Sequence, residues 1–399
     1  MKLAQDWGLE ALKGIGKIFM HPSLYFAVIV AILVGFWRVK RERADFHISV
    51  YPPLQELRYL FSSGWIIGII LSVISIAAGF TVSFDILATV FLAFAILTII
   101  GGFRLISSAF TIGLAYLVIY ISKHFQIHLS YFGKFESTSW TSLSGLVILL
   151  GLLLIAEGIL MIRGGYKESS PKYRKSRRGL TVGAFRTKRI WMIPMFCFLP
   201  AGPLTAPFSW WPTLDFGTHS YSLILVPFII GFQQQVQSTL PQIAVKKLGK
   251  QVLWIGIVTV CMAAGGLWIS ILSLIGTAFA IISRGFISYR HRVREGANPY
   301  YFTPRDNGLI ILTVIPGSPA DKLSLKTGEV IHKCNGHLVR NTDEFYRALQ
   351  KNRAYCKLEV FDTNEQIRFV QGALYEGDHH ELGIITVEEK KKWGTGEAS

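Results

Sequence analysis

Charge is scarce in this sequence. Asp, Glu, Lys and Arg make up 17% of its 399 residues, against about 25% in ordinary soluble domains. The shortage is uneven: residues 1–295 carry 28 basic side chains against 11 acidic ones, and residues 296–399 carry 13 against 14. The net +16 therefore belongs to the first part alone. Its basic residues flank apolar runs rather than cluster on one domain, which fits the cytoplasmic loops of a membrane protein and argues against nucleic-acid binding. Cysteine is scarce too. Cys197 and Cys261 lie in apolar segments, Cys334 and Cys356 near the C-terminal end, and none has zinc-ligand spacing. Free thiols in a reducing compartment are the expectation.

Catalytic signatures are missing as well. A zinc protease of the H-E-x-x-H type needs two histidines one helical turn apart to face one metal, but His380-Glu381 is followed by Leu-Gly-Ile-Ile. There is no Gly-x-Ser-x-Gly elbow and no Walker A phosphate loop. Ser142-Leu-Ser144-Gly145 lacks a partner histidine in a later apolar segment. No catalytic residue, metal site or cofactor is expected, and an intramembrane protease with a regulatory domain is the weaker alternative. A secondary transporter is another, but it would show internal repeats and paired broken helices. The Pro-rich stretch 190–208 has no counterpart in the first half.

What is abundant is apolar sequence. Mean hydropathy is +0.40, and runs approaching the roughly 20 residues that cross a bilayer recur at 23–37, 64–80, 84–100, 105–121, 143–162, 190–208 and 220–232. Residues 251–283 are long enough for a hairpin turning at Gly265-Gly266. The sum is a polytopic α-helical membrane protein of about eight or nine spans. Glu157 lies inside the clearest run, where ionisable residues are functional candidates by default; its nearness to a basic loop favours a packing or interfacial role.

Orientation follows from the basic residues. Residues 163–189 hold ten of them, including Arg174, Lys175, Arg177 and Arg178, against Glu168 alone. This loop is expected in the cytoplasm, with contact to membrane lipids or a partner as a second role. Lys246, Lys247 and Lys250 precede the last hairpin, and Arg284, Arg290, Arg292 and Arg294 follow it. Both ends therefore face inside, which places the C-terminal region in the cytoplasm. Before the first span, Trp7, Leu9, Leu12, Ile15, Ile18 and Phe19 recur at helical spacing with Lys13 and Lys17 between them, as in a helix lying in the interface. That segment lacks a signal-peptide cleavage site, and parity alone would put the N-terminus outside. The organisation expected is an amphipathic segment at 1–21, a membrane domain at 22–295, a small domain at 296–390 and a tail at 391–399.

The small domain has its own grammar. Alternating apolar patterns at 309–315, 329–335, 357–361, 366–370 and 382–387 predict strands, with short helices at 319–325 and 342–350, the latter capped by Thr342. Ile315-Pro-Gly-Ser-Pro-Ala320, Leu325-Lys-Thr-Gly-Glu-Val-Ile331 and Asn335-Gly336 resemble the signature of PDZ domains. Ser324 and Glu329 depart from that signature, where Gly and Asp are usual. The resemblance implies an α+β fold that binds a peptide as an added strand beside its second helix. The loop that would hold a peptide carboxylate has two candidates, Arg305–Ile310 and Glu381–Ile384. The second fits better and implies a circularly permuted domain. Leu382, Gly383, Ile384 and Thr386 would then face Thr342, Tyr346 and Leu349 of the helix, while Glu381 would favour an internal peptide or folded partner over a free C-terminus. An ordinary final strand without a ligand is the plainer alternative.

Taken together, the Trp-Gly amphipathic N-terminus, the run Arg38-Val-Lys-Arg-Glu-Arg43, the basic central loop and the C-terminal domain ending in Leu-Gly-Ile resemble the MinJ family over nearly the full length. These are polytopic PDZ proteins of rod-shaped Gram-positive bacteria that help set the division site. The resemblance implies a non-catalytic membrane adaptor at septa and poles. Its implied partners are a DivIVA-like coiled-coil protein, MinD and other division proteins.

Overall fold

A computed structural model describes residues 2–126, 140–176, 178–205, 211, 220–352, 354–373 and 382–387. The chain opens with helices α1 (Lys2–Lys17), α2 (Pro22–Phe46), α3 (Gln55–Ser62), α4 (Trp65–Ala78), α5 (Phe84–Gly101), α6 (Ser108–His124) and α7 (Trp140–Leu160). Three strands follow, β1 (Ser170–Lys175), β2 (Thr181–Thr205) and β3 (Ser220–Val236), then α8 (Pro241–Gly265) and α9 (Ile271–Ala297). Among the described residues six helical segments are long and apolar enough to cross a membrane: Pro22–Phe46, Gln55–Ala78, Phe84–Arg104, Trp140–Gly165, Pro241–Gly265 and Ile271–Ala297. The α8–α9 turn falls where the Gly265-Gly266 pair predicts it. α7 is enclosed on most of its circumference, unlike the other five, and forms the axis of the membrane part.

Two expected spans are strands instead. Residues 190–208 and 220–232 fall largely on β2 and β3, which form an antiparallel hairpin in which Pro194 faces Pro227. The physical reason is that each proline removes a backbone donor and clashes with the preceding helical turn. The neighbouring Ile, Trp, Phe and Val side chains fit a buried pleated surface. A sheet edge among apolar surroundings must have its backbone groups satisfied, and this hairpin is covered. Phe198 exchanges backbone bonds with Phe80 (3.0 Å) and Val82 (2.7 Å). The Ser72 hydroxyl of α4 accepts from the Phe196 N–H at 2.9 Å, and the Gly231 N–H donates to the Ile106 carbonyl. The basic stretch 163–189 is likewise not a plain loop, since β1 and the polar half of β2 pair within it. The amphipathic α1 exposes Leu9, Leu12 and Ile15 and packs its other side on β3, where Gly14 approaches the Leu223 carbonyl.

Beyond α9 lie β4 (Leu309–Val314), α10 (Pro319–Lys322), β5 (Val330–Cys334), β6 (His337–Leu338), α11 (Thr342–Gln350), β7 (Tyr355–Phe361), β8 (Ile367–Ala373) and β9 (Ile384–Thr386). The sheet order is β8-β7-β5-β4-β9, with β6 paired to β5. All five alternating runs are strands. The α11 cap is Asn341, whose side chain accepts from the Glu344 N–H at 2.8 Å, and not Thr342, which is the first helical residue. Asn reaches the third residue of the helix as well as Thr does. One side of the sheet and α11 enclose a core around Ile311, Ile331, Phe345, Leu358 and Ile384. Within it, the contact with Cys334, together with burial, pushes the Cys356 thiol far above its ordinary pKa.

Candidate functional site

β9 and α11 lie side by side, with the Thr342 and Thr386 hydroxyls 3.2 Å apart. The loop entering β9 is held in a left-handed conformation, φ +56° at Leu382 and +75° at Gly383. Its carbonyls point back toward α10: Leu382 accepts from the Ala320 N–H at 3.0 Å and Gly383 from the Ile315 N–H at 2.9 Å. A side chain on Gly383 would run into Ser318, so only glycine fits. Leu382, Ile384 and Leu349 are buried in the same core, and Tyr346 is exposed at the rim. Leu382, Ile384 and Leu349 thus share one buried core, with Gly383 beside them in the chain and Thr386 meeting Thr342 at its edge; Glu381 lies outside the described residues.

The outward edge of β9 carries backbone polarity. Thr386 is the register partner of Ile311 on β4. Ile311 spends both of its backbone groups on the opposite side, donating to the Glu329 carbonyl and accepting from the Gly328 N–H. Thr386 and Ile311 therefore form a non-hydrogen-bonded pair, whose carbonyls point away from each other. The Thr386 carbonyl consequently faces out of the sheet, and the Tyr173 hydroxyl of β1 donates to it at 2.7 Å. No sequence signal pointed to this contact, which spans more than two hundred residues.

That contact belongs to a larger apposition. Phe185 and Tyr51 pack with Phe302, Ile310, Leu312, Ile385 and Val387, and the Gly183 N–H donates to the Phe302 carbonyl at 2.8 Å. A Cβ on Gly183 would stand 2.6 Å from Leu312 Cδ1 and 2.8 Å from Phe302 Cβ. Glu295 anchors the connection by accepting from the Gln237 and Ser238 N–H groups at 2.6 and 2.9 Å. Gly183→Val is expected to weaken this apposition by about 1–3 kcal/mol, the usual cost of forcing extra atoms into a packed contact. The measurement is limited proteolysis near residues 296–299, which should accelerate; an unchanged rate would count against the contact.

Of the basic group singled out in the sequence, Arg174 and Lys175 sit on β1 and Arg178 in the turn after it, all three exposed; Arg177 lies outside the described residues. Arg174 donates to the Gln237 side chain at 2.7 Å. Several other cations counted as loop charges are buried in ion pairs. Arg38 pairs with Glu56 at 2.7 Å and Arg189 with the same carboxylate at 3.4 Å. Arg284 pairs with Glu157 at 2.9 Å. Among the described residues no group of three His, Cys, Asp or Glu side chains could hold a metal ion.

Helices of membrane-crossing length and a strand-rich C-terminal unit packed against Phe185 and Tyr51 define a membrane protein with a β domain. No protein-family profile matches the chain, and no solved structure does. It is, however, 35% identical over 396 residues to the cell division topological determinant MinJ of Bacillus subtilis, an alignment covering 98% of each chain. It is 24% identical to a probable cell division topological determinant MinJ of Lacticaseibacillus paracasei, over 91% of this chain and 99% of that one. The chain belongs to the MinJ family of cell division topological determinants.

Proposed function

We propose that this protein is a non-catalytic scaffold of the cell membrane that acts in division-site selection, with residues 296–390 forming a circularly permuted PDZ domain in the cytoplasm. The observation that carries the reading is the contact between β9 and α11 on a chain aligned end to end with a division determinant. A strand whose outer edge presents a backbone carbonyl beside a helix is the geometry of peptide capture by strand addition. In this reading residues 1–21 form an interfacial segment and 22–295 the membrane domain. Leu382, Gly383, Ile384 and Thr386, with Thr342, Tyr346 and Leu349, receive a partner segment. Arg174, Lys175, Arg177 and Arg178 meet lipid or partner. The partners are a DivIVA-like coiled-coil protein, which recruits the scaffold to septa and poles, and MinD, which it positions.

A fluorescent fusion tests this. Septal and polar foci that disperse when the coiled-coil partner is deleted support the scaffold; uniform membrane fluorescence, with normal cell length on deletion of the gene, sinks it. The β9–α11 edge has its own test. The Tyr173 hydroxyl and the Thr342–Thr386 contact occupy the edge that a peptide would use, so the described state is closed. Removing one neutral hydrogen bond changes a balance by about 0.5–1.5 kcal/mol. Tyr173→Phe is therefore expected to raise partner binding about 2- to 12-fold in a pull-down from membranes. Weaker binding by this variant would show that Tyr173 belongs to the partner's site rather than closing it.

A further inference from the structure

A cavity of about 300 Å³ opens where the last turns of α2, the start of α3 and the polar half of β2 meet. Five cationic side chains line it, Arg38, Arg41, Arg186, Lys188 and Arg189, against the carboxylates of Glu56 and Glu168. The acids nearby are engaged through some of their oxygens, Glu56 Oε2 being left without a partner. Glu56 accepts from Arg38 and Arg189, Glu168 accepts from the Tyr59 hydroxyl at 2.7 Å, and Glu42 accepts from the Val50 N–H at 2.9 Å.

Three cations are left over. Among the described residues Arg41, Arg186 and Lys188 have no carboxylate within ion-pair distance. Arg41 donates to the Ser170 hydroxyl at 2.7 Å. With the Gln233 amide turned so that its oxygen faces them, Arg186 donates to it at 3.0 Å and Arg104 at 3.2 Å. Lys188 rests against the Phe103 ring, 5.7 Å from its centre. Burial, with the charges of Arg186 and Arg41, pushes the Lys188 ammonium down to about 8. Like charges gathered in a half-buried cleft repel one another and lose hydration, and an anion relieves both costs.

The shape of the cleft says which anion. Two guanidinium groups and one ammonium lining one cavity suit a group with several oxygens in tetrahedral array, to which arginine donates in pairs. The lining also has an apolar part, Val34 and Trp37. Trp37 is 64% exposed on the outside of a membrane-length helix, the position of aromatic residues at the level of lipid headgroups. A ligand charged at one end and apolar at the other suits both parts of this lining.

We propose that this cavity is a phosphate-binding site formed by Arg41, Arg186 and Lys188, taking the phosphate of an anionic phospholipid headgroup or a free phosphate ion. It is separate from the β9–α11 edge and does not depend on the function proposed for that edge.

The test uses the full-length protein in detergent. Its thermal midpoint is measured with dioleoyl phosphatidylglycerol, with dioleoylglycerol, which lacks the phosphate, and with inorganic phosphate. At a hundredfold excess over Kd, phosphatidylglycerol is expected to raise the midpoint by about 3–5 °C, with dioleoylglycerol having no such effect. The shift should persist in R186K/K188R and be mostly lost in R186Q/K188Q. If that pair of neutral substitutions prevents folding, Arg41→Gln replaces it with the same expectation. A shift given by inorganic phosphate, and not increased by the lipid, supports the site and assigns it to the free ion. No shift with either probe, or an equal shift in the neutral variants, overturns the proposal.

Discussion

Arg284→Met is expected to destabilise the folded protein by about 3–5 kcal/mol, the cost of stranding one member of a buried ion pair. Glu157 is fully buried and Arg284 is 2% exposed. Glu157 Oε1 accepts from Arg284 Nη2 at 2.9 Å and from Nε at 3.2 Å, and Oε2 accepts from the Ser107 hydroxyl at 2.6 Å. Arg284 Nη1 donates to the Ser288 hydroxyl at 2.7 Å. The network ties α7 to α9 and to the start of α6. With the guanidinium gone, a carboxylate remains in a low-dielectric interior with one hydroxyl for company, and an uncompensated charge there is costly.

The measurement is the unfolding midpoint of purified protein, compared across three variants. Arg284→Met and Glu157→Leu alone should each fall sharply. The double variant Glu157→Leu with Arg284→Met should recover most of the loss, because an apolar pair of similar volume replaces both desolvated charges at once. A double variant as unstable as either single one would mean that the hydroxyl partners, not the ion pair, hold the helices together.

This pair also shows why part of the fold was illegible in the sequence. A hydropathy window treats a charge as the boundary of a span, and a count of basic residues treats Arg284, Arg38 and Arg189 as loop charges. Each instead has a carboxylate partner elsewhere in the chain, and nothing local marks the pairing. The α8–α9 hairpin and the alternating C-terminal strands were legible because length and period are local properties. β2 and β3 were not, because a strand buried on both faces reads as a continuous apolar run, like a span. The prolines at 194, 200 and 227 were the discriminating signal. The final strand after Leu382-Gly383 was legible from its alternating pattern, and it places Thr386 beside Thr342 of α11. Tyr173 was not, since its contact depends on how two distant sheets meet.

Helix packing supplies the second large effect. Gly151 and Gly158 on α7 recur seven residues apart, as do Gly249 and Gly256 on α8, so each pair presents one stripe along its helix. A Cβ on Gly158 would lie 2.7 Å from the Leu253 nitrogen and 2.8 Å from the Gly249 carbonyl oxygen; one on Gly256 would lie 2.7 Å from the Ile155 nitrogen. The obstacles are backbone atoms, which cannot rotate aside, so the two helices touch main chain to main chain, as small residues allow in membranes. Gly158→Val is expected to cost about 3 kcal/mol, at the upper end for overpacking, whereas Gly164→Ala, with open space beyond its Cα, should change little. Because Gly158 adjoins Glu157, prising α7 from α8 also displaces the carboxylate from Arg284. The losses from Gly158→Val and Arg284→Met should therefore add to less than their sum. Strict additivity in the double variant would show that the glycine stripe and the ion pair hold α7 independently.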